Sequence, residues 1–274
     1  MSMEESERSY PQGELSGGGA RMRGELSSAS ILAMVEMEIR RLMHDPSEIV
    51  ARAVQPILWI VVFGVVMARR VLLGVEDYRS FIAPGVVFQS ATFISLAYGI
   101  MMVFERESGI LKRLLSTPTP RSSIVIGRAL AGSIRASTQY VLVILSAFLV
   151  GAHFKTNAPL LIGGYLTVIY VCMGFTALSI LIASLMKTRE RFMGIIGAIT
   201  MPLFFASNAL YPISIMPTAI KIVALVNPLT YAVDMLRGML LGLQANYMLD
   251  LISITAFNML VIASSIKLLD RIIE

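Results

Sequence analysis

The sequence is poor in the residues that most chemistry needs. One cysteine, Cys172, rules out an intrachain disulfide and says nothing of redox compartment. The two histidines, His44 and His153, stand alone, without a His-Glu-x-x-His or paired-cysteine pattern, so no metal site is expected. Charged residues make up 15% of the chain, against about 25% in an ordinary soluble domain. None of the five lysines follows a glycine. That excludes a Walker A loop, whose backbone amides and Gly-Lys step cradle phosphate. No catalytic residue and no cofactor-binding residue stands out, because a nucleophile and its base are not visible together. The apolar stretches hold almost no acid, which disfavours a proton relay of carboxylates.

What is abundant is apolar surface. Hydrophobic residues make up 56% of the chain and mean hydropathy is +0.74, more than a soluble domain of this length can hide from water. The pattern predicts an all-α integral membrane protein. About 20 apolar residues cross the hydrocarbon core as a helix, and six such spans are expected, at about 53–73, 81–103, 130–151, 160–185, 192–210 and 249–268. Residues 1–28, rich in Ser, Gly and Glu, read as a flexible tail without the apolar centre of a signal peptide. Residues 30–44 read as an amphipathic interfacial helix. Ile31, Leu32, Val35, Ile39, Leu42 and Met43 lie on one face, and Glu36, Arg40, Arg41 and His44 on the other. Between the fifth and sixth spans, 211–245 is broken by Pro212, Pro217, Asn227 and Pro228. It predicts two short re-entrant helices, about 216–226 and 229–242.

Six spans put both termini on one side. Of the 23 Lys and Arg, 17 then fall on that side and 6 on the other. The positive-inside rule makes the richer side cytoplasmic. The net charge of +5 therefore reads as orientation in a membrane, with lipid as the neighbour, and not as nucleic-acid binding.

Three constellations stand out. In 104–120 the charges of Glu105, Arg106, Lys112 and Arg113 surround Ile110 and Leu111. Gly109 interrupts the run, and Pro118 and Pro120 end it. This fits a basic anchor that sets topology, and it fits a docking element for a cytoplasmic partner. In 227–237, Asn227 can cap a helix with Pro228 in its first turn, Tyr231 follows, and Asp234 and Arg237 are spaced to pair. That motif can fold a hairpin or touch substrate. Gln89, Thr92 and Ser95 form a polar stripe with Gly99 in the second span. With Asn208, and with Thr138, Gln139, Thr200 and Ser207 as further candidates, they could line a path or pack helices together.

Taken in order, the run Glu105-Arg106-x-x-Gly109-x-Leu111-x-x-Leu114-x-x-Thr117-Pro118, the segment MPLFFASNALYPISIMP at 201–217 and NPLTYAVDMLRG at 227–238 resemble the permease subunits of type-2 ABC exporters, of the antibiotic and polysaccharide export kind, over about 30–270. The resemblance implies a transmembrane domain over 29–274. In it 30–44 is a connecting helix, 104–120 a coupling helix and 211–245 the external re-entrant helices. It implies a multi-pass subunit of a prokaryotic plasma membrane, paired with a second permease copy or a paralogous permease. A separate cytoplasmic ABC ATPase would use ATP and Mg, so the subunit itself is no enzyme. The cargo is a drug, lipid-like molecule or polysaccharide. Leu15 to Gly19, LSGGG, looks like the ATPase signature loop but stands in a polar tail, outside any ATPase domain. Rival readings are an ATP-independent secondary transporter or channel, and a membrane scaffold or sensor.

Overall fold

The computed structural model describes residues 15–68, 77–111, 116 and 119–271. Among them all regular structure is helical. Helix α1 runs from Leu15 to His44, α2 from Pro46 to Ala68, α3 from Tyr78 to Ala97, α4 from Ile100 to Glu107, and α5 from Arg121 to Leu149. Then come α6 (Ala158–Leu185), α7 (Arg189–Phe205), a 3-10 turn (Ile213–Ile215), α8 (Thr218–Val226), α9 (Pro228–Leu241) and α10 (Tyr247–Arg271).

The first helix differs from expectation. Residues 15–28, read as a flexible tail, are helical and continuous with 30–44. Once the docked part of a helix is nucleated, adding residues costs little, and Ala20, Met22, Arg23, Glu25 and Leu26 are good helix formers.

Among the described residues, four helices are long and apolar enough to cross a membrane: Tyr78–Glu107, Arg121–Leu149, Ala158–Leu185 and Tyr247–Leu269. A fifth would be the pair α8 and α9, which is bent by 80° at its break. Of the expected first span, 69–73 lie outside the described residues, and the helix found for the fifth is shorter than expected. The apolar part of α2 is Ala51–Gly64, and α7 has 17 residues. At 1.5 Å per residue α7 covers about 25 Å of a core about 30 Å thick. Beyond Phe205 the chain leaves the helix, with Pro202 already inside the last turn.

Helices α5 and α6 form the spine, with α1 and α3 against α5 and α10 against α6. Phe88, Leu96, Phe175, Ile180 and Leu236 are fully buried in the shared core. Lipid is as apolar as these side chains, so close van der Waals fit holds the helices together, with little help from the hydrophobic effect. The break between α3 and α4 illustrates it. Ser179 of α6 inserts there, accepting from the Gly99 amide at 2.9 Å and donating to the Leu96 carbonyl. An inserted side chain of this kind bends a helix.

A Cβ at position 99 would meet the Ser179 carbonyl oxygen at 2.7 Å. Gly99→Ala should therefore destabilise the fold by about 1–3 kcal/mol, the usual range for overpacking. Thermal unfolding of the purified chain in detergent checks this, and an unchanged melting temperature would mean the two helices are not in such close contact.

Candidate functional site

The helices alternate in direction and gather their polar residues at two poles. At the first pole lie the end of α4, the start of α5, the end of α6 and the start of α7. Glu105 pairs with Arg128 of α5 at 2.5 Å. Arg106 donates to the carbonyls of Ser184 and Met186 at 3.1 and 3.4 Å, and so caps the C-terminus of α6, where a cation is favoured. Glu107 pairs with Arg189 of α7 at 2.8 Å, and the Arg189 guanidinium stands 5.1 Å from the centre of the Phe104 ring. Gly109 has φ +74, a left-handed conformation that ends α4 and turns the chain. Lys112 and Arg113 lie outside the described residues.

Glu105 and Arg106, singled out as docking residues, are thus turned into the molecule. What faces outward is Phe104 and Ile110, about half exposed, together with Ser108. Ile110 was among the apolar residues picked out in this stretch; Phe104 was missed because it looks like an ordinary membrane-facing apolar residue.

Sequence reasoning also missed the contact that seats α1. Glu38 is 1% exposed. Its carboxylate pairs with Arg135 Nε at 2.5 Å and accepts from the Tyr98 hydroxyl at 3.3 Å. The available signal was position. Ile31, Val35, Glu38 and Leu42 repeat at helical spacing, so Glu38 stands on the apolar stripe. The exposed face, by contrast, carries Leu32, Ile39 and Met43.

The second pole holds the start of α3, the segment after α7, α9 and the start of α10. Asn227 caps α9, accepting from the Leu229 amide at 3.0 Å, and donates to the carbonyls of Leu203 and Ala206 at 2.6 and 3.2 Å. Pro228 opens the helix as expected. The Tyr231 hydroxyl donates to the Leu225 carbonyl at 2.6 Å and ties α9 to α8. Arg237, 5% exposed, donates to the carbonyls of Asn208 and Phe81 at 2.9 and 3.4 Å. It stacks 3.8 Å from the centre of the Phe81 ring and stands 3.7 Å from Asp234. Asn208 donates to the same Asp234 oxygen at 2.6 Å.

Asn208 therefore belongs to the second pole and not to a stripe with Gln89, Thr92 and Ser95. The reason is the end of α7 at Phe205, which takes Asn208 off any helical face. The stripe itself divides. Gln89 lines a small groove with Gln55 of α2 and Thr200 of α7. Thr92 and Ser95 are buried inside the helix cluster, with Ser95 against Cys172.

Polar poles joined by long apolar helices are the geometry of a multi-pass membrane protein, and similarity to known proteins decides the kind. The model of the family described as ABC-2 type transporter matches residues 29–241. The chain belongs to the ABC-2 type transporter family. It is an ABC transporter membrane subunit, a permease of a family that lacks an ATPase domain of its own. The permease is 28% identical over 211 residues to a transport permease, ycf38, of Cyanophora paradoxa, covering 76% of this chain and 72% of that one. It is 24% identical over 239 residues to a protein named as the doxorubicin resistance ABC transporter permease DrrC of Mycobacterium tuberculosis, covering 82% and 81%. It is 26% identical over 163 residues to a protein named as the multidrug ABC transporter permease YbhR of Escherichia coli K12, covering 59% and 44%.

In the permease, removing one partner of the buried pair leaves the other charge stranded. Glu38→Gln or Arg135→Met should each destabilise by about 3–5 kcal/mol. The double variant should recover part of this, with a coupling energy of about 1–3 kcal/mol in a double-mutant cycle. Purely additive losses would show that the pair does not act as a unit.

Proposed function

We propose that the permease is the membrane half of an exporter, with the first pole facing the cytoplasm and a separate ABC ATPase docked on the turn at 104–111. The observation that carries this is the web at that pole. Three consecutive charges of α4 are each fastened to a different helix: Glu105 to α5, Arg106 to the end of α6, and Glu107 to α7. Force applied to this turn reaches three helices at once. Glu105 and Arg106 act as positioning residues. Phe104 and Ile110 supply the outward apolar grip, and Lys112 and Arg113 the basic surround.

In this reading α2 and α7 complete six spans, with both termini cytoplasmic and the hairpin of α8 and α9 on the outer face of a prokaryotic plasma membrane. A second permease subunit, identical or paralogous, lies against α7, where a Cβ at Gly194 or Gly197 would meet no neighbouring atom among the described residues. The ATPase binds ATP and Mg. The cargo belongs with drugs, lipid-like molecules or polysaccharides, and the names of the DrrC and YbhR relatives support the first of these.

Two sets of variants test the assignment. Glu105→Lys and Arg106→Glu should lower ATP-driven export at least about tenfold, on the scale of a lost charge-assisted contact, while membrane insertion and subunit assembly stay intact. Phe104→Asp and Ile110→Asp should abolish copurification of the ATPase and leave the fold unchanged. Normal export by the first set together with normal ATPase binding by the second would refute docking at this turn.

A further inference from the structure

The second pole carries a pocket to which the exporter mechanism assigns no role. A cavity of about 260 Å³ opens beside Asn208, Asp234 and Arg237, lined also by Phe81, Leu243 and Gln244. Its charges do not balance. The Arg237 guanidinium is occupied by two carbonyls and the Phe81 ring. The Asp234 side chain is 42% exposed, and both Asn208 and Arg237 approach the same oxygen, Oδ1. Asp250, 2% exposed in the first turn of α10, lies within electrostatic reach of Asp234. Its Oδ2 has no hydrogen-bond partner among the described residues. Arg79, two residues from Phe81, turns instead to the Val150 carbonyl at 3.0 Å. Asp234 thus keeps an oxygen open at the pocket beside a committed cation, with Asp250 within electrostatic reach behind it.

Asn208 adds an independent sign. A carboxylate only accepts, so the amide nitrogen must face Asp234 and the amide oxygen must face elsewhere. That oxygen is buried and without a partner among the described residues, on a side chain that lines the pocket. A buried acceptor left unsatisfied calls for a donor.

We propose that this pocket receives the ammonium group of an organic amine. Two of its N–H donors meet the free oxygen of Asp234 and Oδ1 of Asn208, Asp250 supplies a background negative charge, and Leu243 takes apolar surface next to the amine. A divalent metal ion fits poorly, because it requires six or more oxygen ligands and the described residues hold no cluster of metal-ligating side chains. A quaternary ammonium fits poorly too, since the Phe81 face it would use is covered by Arg237. The volume is below the roughly 300–1,000 Å³ of pockets that enclose a whole drug-sized ligand. It therefore holds the amine-bearing part of a larger molecule. That this molecule is cargo on its way out rests on the exporter reading; the binding itself does not.

Saturation-transfer NMR titration of the full chain in lipid nanodiscs, with empty nanodiscs as blank, tests the site. The probe is phenethylammonium, and phenethyl alcohol is its neutral counterpart. The ammonium should bind at least about tenfold tighter than the alcohol, and Asp234→Asn or Asp250→Asn should erase most of that preference. Equal affinities, no saturable binding of the ammonium below about 10 mM, or an unchanged preference in both variants would overturn the proposal. Should the variants fail to fold, the comparison of the two probes on the native chain still decides. A failure here leaves the exporter reading standing. Binding without ATP-linked flux in the reconstituted complex would leave the site standing and remove that reading.

Discussion

The pair of Glu38 and Arg135 is the constraint around which the first pole is arranged. Both side chains are almost wholly shielded, at 2% and 8% exposure. A buried ion pair adds little net stability, because desolvation offsets most of its attraction, yet it is severely punished when half of it is lost. Its effect is therefore to specify a single arrangement. It sets the register of α1 on α5, and through Tyr98 it sets both against the junction of α3 and α4. Two turns along α5, Arg128 holds Glu105. Helix α1, the spine and the charged turn are thus joined by one line of polar contacts, about 10 Å long as measured along α5.

The rest of the structure follows from the apolar surroundings. Several polar groups held inside this bundle are tied to a specific neighbour: Ser179 to the break at Gly99, Arg106 to the end of α6, Asn227 to the end of α7. Such ties suit a molecule that moves as a few stiff pieces. A push at the turn after α4 would be delivered to α5, α6 and α7 together. The second pole, where Arg237 clasps the carbonyls of Phe81 and Asn208, would receive it at the far ends of the same helices.

Long apolar runs made α3, α5, α6 and α10 legible in the sequence, and the Asn-Pro step made the start of α9 legible, because each signal is local. Contacts between helices were not. Nothing local shows that Glu38 is buried, that Arg135 is its partner, or that Asn208 joins Asp234. Charged residues on apolar faces were the clue, since each must find a partner somewhere, but spacing along one helix does not say on which neighbour. Helix α7 ends earlier than expected for a related reason. Residues 206–210 are apolar or small enough to continue a helix, yet the chain turns there to satisfy Asn227 and Arg237.

The most direct measurement uses the single cysteine, Cys172, which is buried and can be replaced by serine. In that background Ser108→Cys and Gln244→Cys, both at exposed positions, are treated with a membrane-impermeant maleimide in inverted vesicles, with and without the ATPase. The account predicts that Ser108→Cys is labelled in the bare permease and protected once the ATPase is bound, while Gln244→Cys is not reached from that side in either case. Equal labelling of Ser108→Cys with and without bound ATPase, or ready labelling of Gln244→Cys in sealed inverted vesicles, would contradict it.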